Sequence, residues 1–179
     1  MTGVVVWLTG KPSAGKSTLA RSVAEQLASR GARACLLDGD EVRSLLLPAP
    51  GYDDAARDAF YATLTNLAVM LAGQGHAVLV AATAHRSAVR QRARLAAPSY
   101  LEVFVDASDA EVTERDAKGL YRAVREGRAH GVPGADAPYE RPDRPDVVAR
   151  GGQDVAARDA IVDRVLKLLE PLAPAALRS

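Results

Sequence analysis

Residues Gly10 to Ser17 form a pattern with a specific chemistry. They read Gly-Lys-Pro-Ser-Ala-Gly-Lys-Ser and match the phosphate-binding sequence G-x-x-x-x-G-K-[ST]. The two glycines let the backbone curl, so that successive N–H groups point inward at a helix N-terminus. We expect Lys16 to contact the β- and γ-phosphates of ATP and the Ser17 hydroxyl to ligate Mg²⁺. A glycine turn that carries Lys-Ser by chance is disfavoured, because a strand-like segment precedes the loop and a helical pattern follows it.

Two carboxylates, Asp38 and Asp40, flank Gly39 directly after a short apolar segment. Ligands of open α/β sheets bind where the parallel strands end, so we expect these side chains near the phosphate loop. One carboxylate can hold water bound to Mg²⁺, while the other accepts the proton of an attacking hydroxyl. The structural alternative is a turn in which Asp40 caps a helix over residues 41–47.

Two further observations favour a kinase over a hydrolytic switch. The apolar segment Tyr100–Val105 is followed by Asp106 without an adjoining Glu, so the acidic pair of a strongly hydrolytic site is missing. The sequence Asn-Lys-x-Asp, which reads guanine in GTPases, does not occur, and no Gln follows an Asp-x-x-Gly. The phosphate loop therefore predicts phosphoryl transfer to an acceptor.

The elements that must position these residues follow from hydrophobic spacing. Short apolar segments predict four buried parallel strands, at Val4–Leu8, Ala34–Leu37, Ala77–Ala81 and Tyr100–Val105. Apolar residues at helical spacing predict helices over Lys16–Arg30 and about Asp53–Ala72. Ser87 can cap an Arg-rich helix that stops before Pro98, and another helix is expected to start over Asp109–Arg115. Strands that alternate with helices indicate a three-layer α/β fold around a parallel sheet.

The amino-acid composition changes over residues 127–145, where glycine and proline are frequent and hydrophobic residues show no regular spacing. A long irregular segment in a compact chain is more often a lid or binding loop than a linker. Aliphatic residues at helical spacing then predict a C-terminal helix over about residues 154–170. We expect one domain, residues 1–179, with lid and acceptor loops at about residues 115–146.

Composition narrows the class of partner. The 179-residue chain has 48% hydrophobic and 25% charged residues, as ordinary globular domains do. A net charge of +1 and an aromatic content of 4% argue against a nucleic-acid partner. No apolar run approaches the roughly 20 residues of a membrane span, and no basic secretory signal opens the sequence. The single Cys35 fits a reducing compartment, so we expect a cytoplasmic protein with a small-molecule partner.

Several segments, taken in order, resemble the adenylylsulfate (APS) kinase family. They are the phosphate loop, Leu37-Asp38-Gly39-Asp40-x-Val42-Arg43, Val103-Phe104-Val105-Asp106, Arg115-Asp116-x-Lys118-Gly119-Leu120-Tyr121 and Pro138-Tyr139-Glu140. The resemblance covers Val4 to about Val148, and the run that begins at Arg115 is particularly specific. It implies a P-loop NTPase fold with a five-stranded parallel sheet, ATP and Mg²⁺ as cofactors, and a homodimer, which is common in the family. It also implies transfer of the ATP γ-phosphoryl group to the ribose 3′-hydroxyl of APS, which gives PAPS.

The resemblance assigns roles residue by residue. The implied ATP site comprises Gly10, Ser13, Ala14, Gly15, Lys16, Ser17 and Thr18, with Arg115 from the nucleotide lid. Asp40 is expected to be the catalytic base and to act with Lys16, while Asp38 lies with Ser17 beside the metal. The implied acceptor site comprises Asp38, Asp40, Arg43, Tyr52, Arg57, Lys118 and Val132.

Some positions depart from the family pattern: Glu41, Phe60, Ala62, Thr63 and Val132. The family pattern has Asn at the first two positions, Arg at the next two, and at the last a Phe that clamps the adenine of APS together with the residue at Tyr52. A lost stacking partner is worth about 1–3 kcal/mol and a lost guanidinium in an anion site about 1.5–3 kcal/mol. The segment Ala82–Arg86 also differs from the usual Phe-Ile-Ser-Pro-Tyr-Arg, and only Arg86 clearly matches.

The residues expected to bind ATP match the family pattern, whereas several of those expected to bind the acceptor do not. Two hypotheses about the enzyme follow. The chain is either a divergent APS kinase, with APS affinity weaker by about 10³-fold or more, or a relative that phosphorylates another small hydroxylated metabolite in specialised metabolism. His130, Arg125 and Arg128 are near enough in sequence to supply compensating charge. A non-catalytic nucleotide-binding module is less favoured, because Asp38 and Asp40 are both present. A kinase of nucleic-acid ends is disfavoured by the charge and the few aromatic residues.

Overall fold

The computed structural model describes residues 3–169, in which five strands alternate with seven helices. The strands are β1 (Val4–Thr9), β2 (Ala34–Asp38), β3 (Ala77–Ala81), β4 (Tyr100–Val105) and β5 (Val147–Ala149). The helices are α1 (Lys16–Ser29), α2 (Gly39–Leu45), α3 (Asp54–Gly73), α4 (Ser87–Ala96), α5 (Asp109–Arg115), α6 (Leu120–Arg125) and α7 (Val155–Leu169). None of the helices in this part of the chain is long and apolar enough to cross a membrane.

The strands form one parallel sheet in the order β2-β3-β1-β4-β5. Strand β1 lies at its centre, where Val6 is paired with Leu79 of β3 on one side and Leu101 of β4 on the other. Because the strands run the same way, their carboxyl ends meet at one edge of the sheet, where such folds bind ligands. The predicted five-stranded parallel sheet is confirmed.

Helices cover both faces of the sheet, which explains why β1 is a continuous apolar run. Val4, Val6 and Leu8 are fully buried in a cluster with residues of α1 and α7. Val5 and Trp7 point to the opposite face and are fully buried in a cluster with residues of α3 and α4. The predicted three-layer α/β arrangement is therefore also confirmed.

The helix ends have local causes. Helix α3 begins after Asp53, whose carboxylate accepts a hydrogen bond from the Ala56 N–H at 2.9 Å. At α2 the predicted alternative cap is wrong: Asp38, not Asp40, is the N-cap and accepts from the Asp40 N–H at 3.0 Å. Asp40 consequently lies in the first turn of the helix. The Asp38 carboxylate, at the end of β2, thus fixes the start of α2.

Strand β5 was not predicted from hydrophobic spacing, because it has three residues and no period to detect. Its pairing with β4 begins with Val147 opposite Val103. One residue earlier in each segment, the Asp146 N–H donates to the Glu102 carbonyl at 2.8 Å. The Asp146 carboxylate accepts in turn from the Glu102 N–H at 2.7 Å. The strand is therefore defined by its partner rather than by its own sequence.

The predicted irregular segment contains few regular elements. Between α6 and β5 the described chain has turns and one isolated bridge, between Pro133 and Ala137. The predicted C-terminal helix is α7, and its expected end at residue 170 lies outside the described residues. Residues 1–2 and 170–179 of the predicted domain lie outside them as well.

Candidate active site

A cavity of about 1150 Å³ lies at the edge of the sheet where the strands end. Its walls come from the loop after β1, the start of α2, helix α3, the lid segment (residues 115–146) and the turn after β5. We call the loop after β1 together with residues 150–154 the donor wall. The acceptor wall is the set Arg43, Tyr52, Arg57, Phe60 and Val132.

The donor wall rests on a contact between two backbone segments. Gly15 has a φ of 101°, in the region that favours glycine. A Cβ on Gly15 would lie 2.5 Å from the Gly152 nitrogen, and a Cβ on Gly152 would lie 2.7 Å from the Gly15 oxygen. The phosphate loop therefore packs directly on the turn after β5. Sequence reasoning missed residues 150–154, for which two adjacent glycines behind a short apolar segment were the available signal.

The structure brings the residues predicted to bind ATP together. Six of them line the cavity: Ser13, Gly15, Lys16, Ser17, Thr18 and Arg115. Gly10 and Ala14 do not line it, and their carbonyls accept hydrogen bonds instead. The Gly10 carbonyl accepts from Lys16 Nζ at 3.0 Å, and the Ala14 carbonyl accepts from Arg115 Nη1 at 3.3 Å. Arg115 itself lines the cavity, so the lid segment meets the loop at this residue.

Lys16 is held over the loop that precedes it. Its ammonium donates to the carbonyls of Gly10, at 3.0 Å, and Lys11, at 2.8 Å. Burial lowers the pKa of Lys16 from 10.5 to about 8, against the opposing effect of the Asp40 and Asp38 carboxylates. Lys16 is therefore a cation at neutral pH with reduced hydration, which suits it to bind a phosphate.

Ser17 and Asp38 are joined by a hydrogen bond from the hydroxyl to the carboxylate. A hydroxyl and a carboxylate are oxygen donors of the kind that Mg²⁺ takes, usually with waters and substrate phosphates completing its shell. Over residues 3–169 there is no group of three or more His, Cys, Asp or Glu that could hold a metal ion by itself. The donor set fits an ion shared with a nucleotide, and Ser17 and Asp38 are the residues that would hold it.

Asp40 lines the cavity from the first turn of α2 and forms an ion pair with Lys118. Both side chains are more than half exposed, at 65% for Asp40 and 53% for Lys118. Lys118 belongs to the turn between α5 and α6. A residue of the lid segment thus contacts the carboxylate that sequence reasoning assigned as the base.

The run from Arg115 to Tyr121 has a structural explanation for its spacing. The Asp116 carboxylate accepts from the N–H groups of Tyr121, at 3.1 Å, and Arg122, at 2.9 Å, and so satisfies two N–H groups in the first turn of α6, whose N-cap is Gly119. The Tyr121 hydroxyl donates to the Pro12 carbonyl at 3.0 Å. The run therefore attaches the lid segment to the phosphate loop at two points, Arg115 and Tyr121, with Lys118 between them.

Arg43 is the centre of the acceptor wall. Its Nη1 donates to the carbonyls of Pro50, at 3.1 Å, and Gly51, at 2.8 Å. Its Cζ lies 4.6 Å from the centroid of the Tyr52 ring and 4.0 Å from that of Phe60. Both rings are within the range of a cation–π contact, so the guanidinium is fixed by two aromatic residues and two carbonyls.

Arg57 and Val132 meet where α3 approaches the lid segment. Arg57 Nη2 donates to the Gly131 carbonyl at 2.7 Å. The Asp136 carboxylate accepts from the N–H groups of Gly131, at 2.9 Å, and Val132, at 2.7 Å, and these bonds lower the pKa of Asp136. Val132 is 7% exposed and lines the cavity. Arg57 and Val132 thus line the cavity, as do Asp40, Arg43, Tyr52 and Lys118 of the predicted acceptor site, whereas Asp38 does not. Arg57 is partly engaged by the protein itself.

The departures from the family pattern separate into two groups. Phe60 and Val132 line the cavity, whereas Glu41, Ala62 and Thr63 are not among the described residues that do. Because Ala62 and Thr63 are much shorter than the arginines of the family pattern, the predicted loss of two anion contacts at these positions stays a prediction. Phe60 adds a ring to the acceptor wall, which offsets part of the aromatic surface missing at Val132.

The three residues considered as sources of compensating charge also differ. His130 lines the cavity, but Arg125 and Arg128 are not part of its described wall. Arg128 is paired with Glu126 instead. Of these three residues, His130 is therefore the one at the described cavity wall.

Sequence reasoning missed three cavity residues near the end of β3: Tyr61, Thr83 and His85. The signal for the last two was the poor match of the segment 82–86 to the family pattern. Tyr61 carried no signal, because its place on a regular helix suggests an ordinary core residue.

Comparisons with known proteins agree with this arrangement. A family model for adenylylsulphate kinase matches residues 2–150. An adenylyl-sulfate kinase of Deinococcus deserti is 41% identical over 171 residues, covering 96% of this chain and 92% of the relative. A probable bifunctional SAT/APS kinase of Sorangium cellulosum is 36% identical over 96% of this chain, which spans 29% of that relative's length.

The fold is shared with a solved enzyme as well. The APS kinase of Mycobacterium tuberculosis, in a complex with AMPPNP and APS, matches with a TM-score of 0.82 and 35% identity. The match covers 95% of this chain and 99% of that one. With the family model spanning most of the sequence and a relative above 40% identity over nearly its whole length, the chain belongs to the adenylylsulphate kinase family.

Proposed function

We propose that this chain transfers the γ-phosphoryl group of ATP to the 3′-hydroxyl of APS, with Mg²⁺ as cofactor. The observation that carries the proposal is that Lys16, Asp40 and Arg43 line one cavity. A phosphate-binding cation, a candidate base and an anion-binding guanidinium are thus available to two substrates at once. The family relatives with this name support APS as the acceptor.

Phosphoryl transfer requires four contributions from the protein. Asp40 accepts the proton as the O–H bond of the acceptor breaks and its oxygen bonds to the γ-phosphorus. Lys16 and the N–H groups of the loop stabilise charge as the bond from that phosphorus to the bridging oxygen of the departing ADP breaks. Arg43 and Arg57 hold the acceptor. Lys118, on the lid segment, keeps a positive charge beside Asp40. Mg²⁺, when bound at Ser17 and Asp38, neutralises charge on the phosphates.

A second candidate is transfer to another small hydroxylated metabolite. Two substitutions in the acceptor wall favour it, since Phe60 and Val132 stand where the family pattern has Asn and Phe. Adenine would meet an aliphatic side chain at position 132 in place of a ring. The same cavity and the same base would serve either acceptor.

The test is an ATP-consumption assay with purified protein across APS, nucleotide conjugates, amino alcohols and sugars, each with Mg²⁺ and with EDTA. We expect Mg²⁺-dependent ADP formation with APS, together with a product that carries one more phosphate. Turnover with another acceptor and none with APS would favour the second candidate. ATP consumption that is indifferent to every acceptor would contradict both.

Two expectations from the sequence remain predictions. The homodimer implied by the family resemblance can be checked by light scattering at several concentrations. The cytoplasmic location can be checked by cell fractionation.

A further inference from the structure

Lys11 belongs to the phosphate loop, but its side chain is not part of the described cavity wall. Its ammonium pairs with the carboxylate of Asp109 in the first turn of α5. The Asp109 side chain is 79% exposed, and an ion pair at such a site contributes little to stability. The Lys11 side chain is only 24% exposed, so the protein covers most of it. The contribution of Lys11 therefore comes mainly from its hydrocarbon stem.

The stem of Lys11 packs on Gly134 of the lid segment. A Cβ on Gly134 would lie 2.8 Å from Lys11 Cγ and 2.9 Å from Lys11 Cδ, so the two residues touch where only a glycine leaves room. Gly134 also has a φ of 80°, in the region that favours glycine. Asp109 holds the far end of the stem, and this ion pair keeps the stem over Gly134.

Gly134 lies in a compact turn, residues 131–137, which we call the acceptor turn. The Gly134 N–H donates to the Ala137 carbonyl at 2.8 Å, and the Ala137 N–H donates to the Val132 carbonyl at 3.1 Å. The Ala135 N–H donates to the same Val132 carbonyl at 3.0 Å. Val132 itself lines the cavity as part of the acceptor wall. Because these bonds join Gly134 to Val132, a displacement of Gly134 would also displace the acceptor wall.

The backbone of Lys11 belongs to the structure that holds the phosphates. Its carbonyl accepts from Lys16 Nζ at 2.8 Å and from the Ala14 N–H at 3.2 Å. Lys11 is thus bonded through its carbonyl to the donor wall and packed through its stem on the acceptor turn. A continuous series of contacts runs from Lys16 through Lys11 to Gly134.

We propose that Lys11 is a positioning residue that couples the phosphate loop to the acceptor turn, so that ATP bound at the loop stabilises the turn that carries Val132. This coupling rests on the proposed function and adds to it a contact between the two walls that is separate from the ion pair of Lys118 with Asp40. Coupling between two binding sites is reciprocal, so a bound acceptor strengthens ATP binding by the same factor. The contact depends on the shape of the stem rather than on its charge.

Hydrogen exchange with the nucleotide analogue AMPPNP and Mg²⁺ tests the coupling without any acceptor. We expect saturating AMPPNP to slow amide exchange in residues 131–137 of the native protein about tenfold. Lys11→Met keeps an unbranched stem without the charge and should retain that protection. Lys11→Ala removes the stem and should lose most of it, although the nucleotide is still bound at saturation.

With APS, the coupling is measured as the ratio of two AMPPNP affinities, one with saturating APS and one without it. We expect a ratio of about tenfold in the native protein and in Lys11→Met, and about threefold or less in Lys11→Ala. Asp109→Asn removes the ion pair but leaves the stem, so it should keep most of the native ratio. A merely structural defect would weaken binding under both conditions and leave the ratio unchanged.

All measurements are made well below the melting temperature of each variant. Exchange in residues 131–137 that AMPPNP does not slow in the native protein, or slows equally in Lys11→Ala, would overturn the inference. Equal losses in Lys11→Met and Lys11→Ala would overturn it too, because the charge and not the stem would then carry the effect. If the native protein turns over no APS, the proposed function fails, and the exchange experiment still decides whether Lys11 couples the two walls.

Discussion

The donor and acceptor walls of one cavity are built by different means. The donor wall is mostly backbone: Gly15 and Gly152 pack at a distance that excludes a Cβ, and Lys16 is fixed by two carbonyls. The acceptor wall is mostly side chain, with Arg43 between the rings of Tyr52 and Phe60. A wall made of backbone tolerates few substitutions, whereas a wall made of side chains can be rebuilt one residue at a time. Two departures from the family pattern that reach the cavity, Phe60 and Val132, lie on the second wall.

The lid segment joins the two walls. Tyr121 bonds to the phosphate loop, Lys118 pairs with Asp40, and the Gly131 carbonyl accepts from Arg57 of the acceptor wall. A substitution in one wall can therefore alter the position of residues in the other wall, because residues 115–146 contact both. The predictions below test whether the walls nevertheless act separately.

Removal of the proposed base should have the largest effect. Asp40→Asn keeps the size of the side chain but cannot accept the proton, so we expect kcat to fall by about 10²–10⁴-fold. ATP affinity should remain close to native, because the ATP phosphates are held by the donor wall. The measurement is kcat for ADP formation alongside equilibrium ATP binding.

Glu41→Gln is the matched control, since it neutralises the adjacent carboxylate, which is exposed and outside the described cavity wall. It should leave kcat nearly unchanged. Near-native turnover by Asp40→Asn would remove Asp40 from the role of base.

The second prediction tests the backbone contact of the donor wall. In Gly152→Ala the new Cβ would lie 2.7 Å from the Gly15 oxygen and 2.8 Å from the Thr18 Cβ. Overpacking of this kind lowers the free energy of unfolding by about 1–3 kcal/mol. We expect weaker ATP binding as well, measured by titration next to urea denaturation.

Gly73→Ala is the control for that substitution, because nothing lies within 4 Å of its Cβ and the residue is helical. It should be neutral or stabilising by up to about 1 kcal/mol. Native ATP affinity and stability in Gly152→Ala would show that the turn after β5 does not support the loop.

The third prediction concerns pH. The Lys16 ammonium is present below its pKa of about 8 and is lost as the pH rises through that value. ATP binding to the free enzyme should therefore weaken about tenfold between pH 7 and pH 9. APS binding, which relies on arginines, should change much less over the same range.

Lys16→Arg serves as the comparison for the pH series, because an arginine keeps its charge throughout. Its ATP binding, whatever its strength, should be flat with pH. A native enzyme whose ATP affinity is constant up to pH 9 would contradict the lowered pKa.

The smallest expected effect is at the acceptor wall. Phe60→Leu removes one ring from Arg43, and a cation–π contact is worth about 0.5–2 kcal/mol, or about 2–30-fold in affinity. The KM for APS should rise by that factor while the KM for ATP stays near native. Tyr52→Leu, which removes the more exposed ring, should have a weaker effect of the same kind. An equal rise in both KM values would mean that the two walls are not separable.

How much of the structure can be predicted from the sequence depends on how far apart along the chain the interacting residues lie. The phosphate loop was predicted because its glycines and lysine interact with their own neighbours over eight residues of one strand–loop–helix unit. Helices α1 and α3 were predicted within one or two residues, because each has a continuous apolar stripe. Strand β5 was missed because its three residues are a strand only by pairing with β4. Asp38 was not predicted as the cap of α2, because either acidic residue fits the local pattern.

By itself, the sequence determined a parallel α/β fold, a phosphate-loop motif at residues 10–17 between a strand and a helix, and a carboxylate pair at the end of β2. Only the tertiary structure decided that Gly152 packs on Gly15, that Phe60 covers Arg43, and that Lys118 of the lid segment pairs with Asp40. The physical reason is that periodicity and turn chemistry are read within a few neighbours along the chain. The acceptor wall is assembled from side chains of α2, the loop before α3, α3 and the lid segment, and their mutual distances exist only once the sheet has formed.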